Sequence, residues 1–551
     1  MRRDLTVITS HWVHLTVIEE NQRLSASRLW QWQRQFFSEQ TIAAWRNSIV
    51  PHYVTSNTFI ARAYARLVFG HLRDLLSDQH HALDAQQPVT VLELGAGSGR
   101  FSYHFLKKFF ALLQQSTLSH LRVRYVMTDF SEKNLAFWKQ HPFLQDYITR
   151  GLLDFALVDI NLPQDIVLQV SGDVLSAAQM YNPLVVIANY VFDSIEQDCF
   201  YLHHGELHES LVSLHDIDNE DSTEPPADAS ILHRLDLRFT NRPASPDYYP
   251  EAELNNLLAY YASRKVDGYV LLPTQALRYL AHLRRLSNNR LLLISGDKGD
   301  SREEDVVLPT APAIVSHGSI SLMVNYHALA LVVQQQGGVF MATPQQHHGL
   351  HICAAAFHPH ADTGNTSDAF YPETRQAFRE HISETSPDDF YLLKCFIQPN
   401  AVLLDLPQLL AYLRLSGWDA ANFMGCYDAL LQCAANLQEA SLKQEIISMA
   451  AQVWDTYYPL GESTDIAQAL GSLLYEIDAY AQAMIYLQHS RDLHGDDASI
   501  VYNMGMCHYN MGQLVPALSY VKQSLQLKPG YEPATLMQVV IEEELAKPVL
   551  V

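Results

Sequence analysis

The chain has 551 residues, 48% hydrophobic and 18% charged, a globular balance spread over more length than one ordinary core accommodates, so two or three domains are expected. A formal charge of -23 with no cluster of Lys and Arg argues against affinity for a nucleic-acid backbone, and no apolar run is long enough to span a membrane. The opening Met-Arg-Arg-Asp-Leu-Thr lacks the apolar core of a secretory signal, and the six cysteines form no C-x-x-C pair; a cytoplasmic protein without a metal or disulfide framework is expected.

In chain order, residues 1–51 are aromatic and helical in pattern, densest at "RLWQWQRQFF". Over 52–357, apolar strands alternate with amphipathic helices, the pattern of a mostly parallel sheet covered on both faces. Strands are expected at 89–94, 124–127, 155–158 and 184–188, with helices beginning near Arg100 and Glu132. The acidic, proline-containing "HDIDNEDSTEPPADAS" of 215–230 reads as a surface loop. His347, His348 and His351 come nearest to a ligand cluster but lack the Glu and helical setting of a zinc protease motif, so no metal is expected there. Residues 358–460 comprise a linker, "HPHADTGNTSD", and helices. In 461–545, Leu470-Gly471 recurs as Met504-Gly505 and Ala483 as Ala517, with Gly512 and Pro529 as punctuation; the 34-residue period is that of a tetratricopeptide repeat.

"VLELGAGSGR" carries the chemistry. An apolar strand runs into Gly95, Gly97 and Gly99, so a ligand must approach the backbone of the turn. A nucleoside triphosphate would require Gly-Lys-Ser or Gly-Lys-Thr, and a dinucleotide the spacing G-x-G-x-x-G; neither is present. Glu93 followed by Gly95-Ala96-Gly97-Ser-Gly99 resembles motif I of class I S-adenosylmethionine-dependent methyltransferases. The resemblance implies that the glycines pass close to the cofactor and that Glu93 offers negative charge to it. Asp129, with Phe130 beside it, would accept from the ribose hydroxyls at the second strand end. Asp159 would accept from the adenine amino group at the third, and Asn189, Tyr190 and Asp193 would flank methyl transfer at the fourth.

A narrower resemblance covers 52–357. "HYVTSNTFIARAYARLVFGHL", with Val54, Thr55 and Ser56, then "VLELGAGSGR", "ANYVFDSIEQDCFYLHHGELHESLV", "NNRLLLISGDKGD" and "HGSISLMVNYHALALVVQQQGGVFMATPQQ" are similar to the MidA-like methyltransferases, the group that includes the mitochondrial complex I assembly arginine methyltransferase. Tyr190 stands where that family has an acidic residue and Glu196 where it has proline. The resemblance implies an α/β Rossmann-like class I methyltransferase sheet with helices on both faces, followed by an all-α tetratricopeptide-type helical domain. The function it implies is S-adenosyl-L-methionine-dependent methylation of a protein substrate, arginine included, recruited through the repeats, with Asp193, Asn189 and Tyr190 at the acceptor. The alternative is a methyltransferase-like adaptor of weak or no activity that mediates protein–protein interaction.

Overall fold

Every residue of strand β2, Val89–Leu94, is buried, as a strand covered on both faces requires. Its neighbours are β3 (Val123–Asp129) and β4 (Leu153–Leu157) on one side, and β5 (Leu184–Asn189) and β10 (Leu291–Asp297) on the other. All of these pair in parallel. Strand β13 (His351–Phe357) then adds antiparallel to β10, and β12 (Val339–Ala342) antiparallel to β13, giving the seven-stranded order β12-β13-β10-β5-β2-β3-β4. Helix α2 (Arg100–Gln114) follows β2, and α3 (Glu132–Gln140) follows β3 with the Ser131 side chain accepting from the Asn134 amide as its N-cap. One face of the sheet packs Leu92, Val126 and Val186 into a core with Tyr326, Leu329 and Val333 of α4 (Tyr326–Gln335).

This computed structural model describes residues 16–77, 83–217, 229–345, 349–359 and 370–547. The chain divides into two compact units, Met1–Ser56 with Ile60–Asp388, and Asn57–Phe59 with Asp389–Val551. Most of the acidic 215–230 segment, His347 and His348, and the linker at 360–368 lie outside the described residues.

The first unit holds a second, antiparallel sheet, ordered β1-β7-β6-β9-β11. Its strands are β1 (Thr16–Gln22), β6 (Asp198–His203), β7 (Glu206–Asp216), β9 (Gly268–Leu272) and β11 (Val307–Leu308), and β8 (Leu235–Pro243) pairs with β7 as well. Strand β1 departs from the helical reading of the N-terminal stretch. It is an edge strand held by β7 through pairs such as Thr16↔Asp216, a partner far downstream that no local pattern announces. Helix α1 (Leu29–Gln40) is helical as its aromatic spacing predicts and buries Leu29, Trp30, Trp32 and Phe36. The Gln33 amide fastens it, donating to the Ile320 carbonyl at 2.8 Å and accepting from the Ile320 N–H at 2.9 Å.

The second unit is helical. Helices α5 (Ile466–Glu476), α6 (Tyr480–His494), α7 (Ala498–Asn510), α8 (Leu514–Leu527) and α9 (Glu532–Ala546) follow one another through short turns. Gly471 and Gly505 occupy equivalent places: a Cβ would lie 2.9 Å from Leu487 at the first and 3.2 Å from Val521 at the second. The same spacing repeats a hydrogen bond, Asn510 to the Tyr475 hydroxyl and the Tyr509 hydroxyl to Glu544, each at 2.8 Å. Among the described residues no helix is long and apolar enough to cross a membrane.

Candidate functional site

The carboxyl ends of β2, β3, β4 and β5 open into one cavity of about 200 Å³. Its floor is the turn after β2, where Gly95, Gly97 and Gly99 have φ of +62°, +53° and +79°. That left-handed backbone disfavours any residue with a Cβ, and space is short as well: a Cβ on Gly97 would sit 2.7 Å from the Trp45 ring. Ala96 is held by its N–H donating to the Thr128 carbonyl at 2.9 Å, and the Gly97 carbonyl accepts from the Trp138 indole at 3.0 Å. The turn is rigid before any ligand arrives.

Each expected strand-end residue lines this cavity. Asp129 is buried, accepting from the Ser131 N–H at 2.9 Å and the Asn134 side chain at 3.0 Å; burial raises its pKa above the usual carboxylate value. The backbone N–H groups of Gly97 and Phe130 also act on this carboxylate, which ties it to the glycine turn. Glu93 differs from its expected role. Burial pushes it up to about 7, with Ser102 and Tyr125 both donating to one of its oxygens, so it ionises less readily than an ordinary carboxyl. Asp159 also differs: Arg34 of α1 binds both of its oxygens and lies over the Phe130 ring at 5.3 Å, so the proposed adenine acceptor already has a cationic partner.

At the end of β5, Asn189 accepts from the Tyr64 hydroxyl at 2.8 Å, which orients the amide. Its Nδ2 is then a buried donor with no hydrogen-bond partner among the described residues, an expensive state that a bound acceptor would relieve. Tyr190 follows with φ of +53°, held by its N–H donating to the Gly296 carbonyl at 2.9 Å and its hydroxyl donating to Gly349 at 3.2 Å. Strained backbone of this kind in a bulky residue persists where the surroundings impose it. Asp193 lies in a short 3-10 turn rather than at a helix N-cap, and Ser194 donates to it at 2.7 Å. Burial raises its pKa well above the usual value, with further upward pressure from the neighbouring Asp297 carboxylate.

Residues 74–304 match the model of a family described as "putative S-adenosyl-L-methionine-dependent methyltransferase". The mixed α/β sheet with its helices and the helical C-terminal region fit a methyltransferase fold. No curated protein matches the chain. Among solved structures, an uncharacterized superfamily protein from Burkholderia thailandensis is 13% identical over 64% of this chain and 90% of its own, with a TM-score of 0.37. A superfamily member from the same organism, described as a "likely methyl transferase" and bound to S-adenosyl-homocysteine, is 15% identical over 61% of this chain and 75% of its own, with a TM-score of 0.33. YrrB, a TPR protein with a peptide-binding site, is 21% identical over 31% of this chain and 82% of its own, with a TM-score of 0.23.

Sequence reasoning missed the cavity's roof and one carboxylate. Trp30, Gln33, Arg34, Phe37 and Trp45 close over the glycine turn from the N-terminal stretch, and Thr55 and Ser56 line the same space. Asp297, at the end of β10, is fully buried behind Asp193 and accepts from the Ser295 hydroxyl at 3.0 Å and the Tyr326 hydroxyl at 2.9 Å. Its position at a fifth strand end, in "LLLISGD", was the available signal.

Proposed function

We propose that this cavity binds S-adenosyl-L-methionine and that the protein is a methyltransferase. The observation that carries the reading is the Asn189 Nδ2 donor, without a partner among the described residues and buried in the same cavity as a left-handed glycine turn and the Asp129 carboxylate. When bound, the cofactor supplies an electrophilic methyl group on a cationic sulfur. Around it, Asp129 accepts from the ribose hydroxyls, and Gly95, Ala96 and Gly97 pass close enough for main-chain contact. Asn189 donates into the transfer region. Burial raises Asp193 and the neighbouring Asp297 above the usual carboxylate value, and Lys298 lines the same cavity. Asp193 and Glu196 orient the acceptor, and the Tyr190 ring offers a flat face to a planar group. Catalysis then rests on positioning and fixed charge, with no covalent enzyme intermediate.

The acceptor in this reading is a protein side chain, with arginine the first to test, and the protein acts in the cytoplasm. The 34-residue helical repeats support recruitment of a protein, since tetratricopeptide arrays present extended surfaces to peptides and helices. A second reading, a methyltransferase-like adaptor, is favoured by the roof: Trp45 against Gly97 and Arg34 on Asp159 occupy places a cofactor would use.

Calorimetric titration of the full chain with S-adenosylmethionine and S-adenosyl-homocysteine separates the two. Saturable one-to-one binding supports the enzyme, and no heat and no thermal shift with either supports the adaptor. Incubation with the methyl-labelled cofactor and a cell extract then identifies the acceptor.

A further inference from the structure

The hairpin joining β6 to β7 has a two-residue tip, His204-Gly205, with φ of +52° and +86°, and closes on the pair His203↔Glu206. Positive φ at both central residues marks the tight turn that holds two strands in register. Consecutive residues of a strand point to opposite faces, but the turn at His204 breaks that alternation, and the His203 and His204 rings lie side by side with centroids 4.1 Å apart. The tip is therefore a fixed platform carrying two imidazoles.

Asp267 completes the group from the residue before β9, which pairs with β6 through Gly268↔Leu202. One of its oxygens accepts from the His204 N–H at 2.7 Å, which fixes the carboxyl against the hairpin tip. The other oxygen lies 3.6 Å from Nδ1 of both His203 and His204. The three ligand atoms are within 4.8 Å of one another. Nitrogen and oxygen ligands of a four-coordinate zinc ion, bound at about 2.0–2.1 Å, lie about 3.3 Å apart, so rotation of exposed side chains closes the difference. Tyr201 stacks beneath His203 with rings 17° from parallel, which limits its motion. Glu206 adds negative charge across the hairpin, and Lys265 is the opposing cation nearby.

We propose that His203, His204 and Asp267 form a surface site for a divalent transition cation of the zinc, nickel and copper class. Two imidazoles and a carboxylate suit these borderline ions and do not suit Mg²⁺ or Ca²⁺, which prefer an all-oxygen set. Exposure leaves the remaining coordination positions to water, so the ion is exchangeable. It ties the tip of the hairpin to the start of β9, and this role is independent of the cofactor cavity.

The test is titration of the full chain with Zn²⁺, with Mg²⁺ as control, against His203→Ala, His204→Ala and Asp267→Asn. Wild type is expected to bind one more Zn²⁺ equivalent than either histidine variant, and loss of one ligand is expected to weaken that equivalent about tenfold or more. Cu²⁺ bound at the same stoichiometry should give an electron paramagnetic resonance signal with two-nitrogen coupling that His204→Ala reduces to one. Unchanged stoichiometry and affinity in all three variants, or no Zn²⁺ bound by the wild type, would overturn the proposal. All three positions are exposed, so folding is not at stake.

Discussion

Replacing Gly97 by Ala tests the cavity most directly, because its cost has two parts that can be separated. At φ of +53° an L-residue pays about 1–2 kcal/mol for the left-handed backbone alone. The new Cβ would then stand 2.7 Å from the Trp45 ring, and relief requires that ring to leave its stack on Phe37, at 5.9 Å and 24°; overpacking of this kind costs about 1–3 kcal/mol more. Gly151, with φ of +68° and nothing within 4 Å of its would-be Cβ, pays only the first part and serves as the reference. Denaturant unfolding should find Gly97→Ala less stable than Gly151→Ala by the contact term. Calorimetry with S-adenosyl-homocysteine should find it weaker than wild type by about tenfold for each 1.4 kcal/mol of disturbance in the wall, with Gly151→Ala unchanged. If Gly97→Ala equals Gly151→Ala in stability and wild type in affinity, the hollow above Gly97 is not where the ligand lies.

Asp129→Ala is expected to weaken S-adenosylmethionine binding by about 1–3 kcal/mol, read as a rise of about five- to 150-fold in Kd; an unchanged Kd removes the ribose assignment. Glu93→Gln keeps an acceptor for Ser102 and Tyr125 but abolishes titration. The native carboxyl at about 7, against an ordinary 4.5, binds its proton more tightly than the unfolded chain does, so wild type loses about 3 kcal/mol as pH rises through that window. Urea unfolding should therefore show the Gln variant gaining on wild type between pH 5 and 7.5, and parallel pH profiles would contradict the burial of a charge there. Gly471→Ala places a Cβ 2.9 Å from Leu487 and should cost about 1–3 kcal/mol in the helical unit while leaving cofactor affinity unchanged; coupled loss of both would argue against separate units.

The strands at 89–94 and 184–189 and the helix starts at Arg100 and Glu132 were legible because the cause is local: buried apolar runs, a glycine turn and a serine cap. Asp129, Asn189 and Asp193 were legible as strand-end residues for the same reason. Arg34 and Trp45 were not, since each meets its partner across a long separation, as Arg34 does with Asp159 125 residues on. The expected charge on Glu93 failed on burial, which a single sequence does not reveal in magnitude. Strand β1 failed for want of its partner β7, and Asp297 ends a strand beyond the four expected from the pattern.

The two hydrogen bonds between Gln33 and Ile320 span 287 residues, and they set a timetable. During synthesis the N-terminal stretch emerges first and meets its partners in turn, Asp159, then β7, and last Ile320, so its final fastening waits until the ribosome has delivered residue 320 and the loop between them has been closed. The parallel strands and the glycine turn can assemble earlier. A nascent chain stalled before that point would hold its cover by the earlier contacts alone, and the fastening at Ile320 would be among the last parts of the first unit to settle.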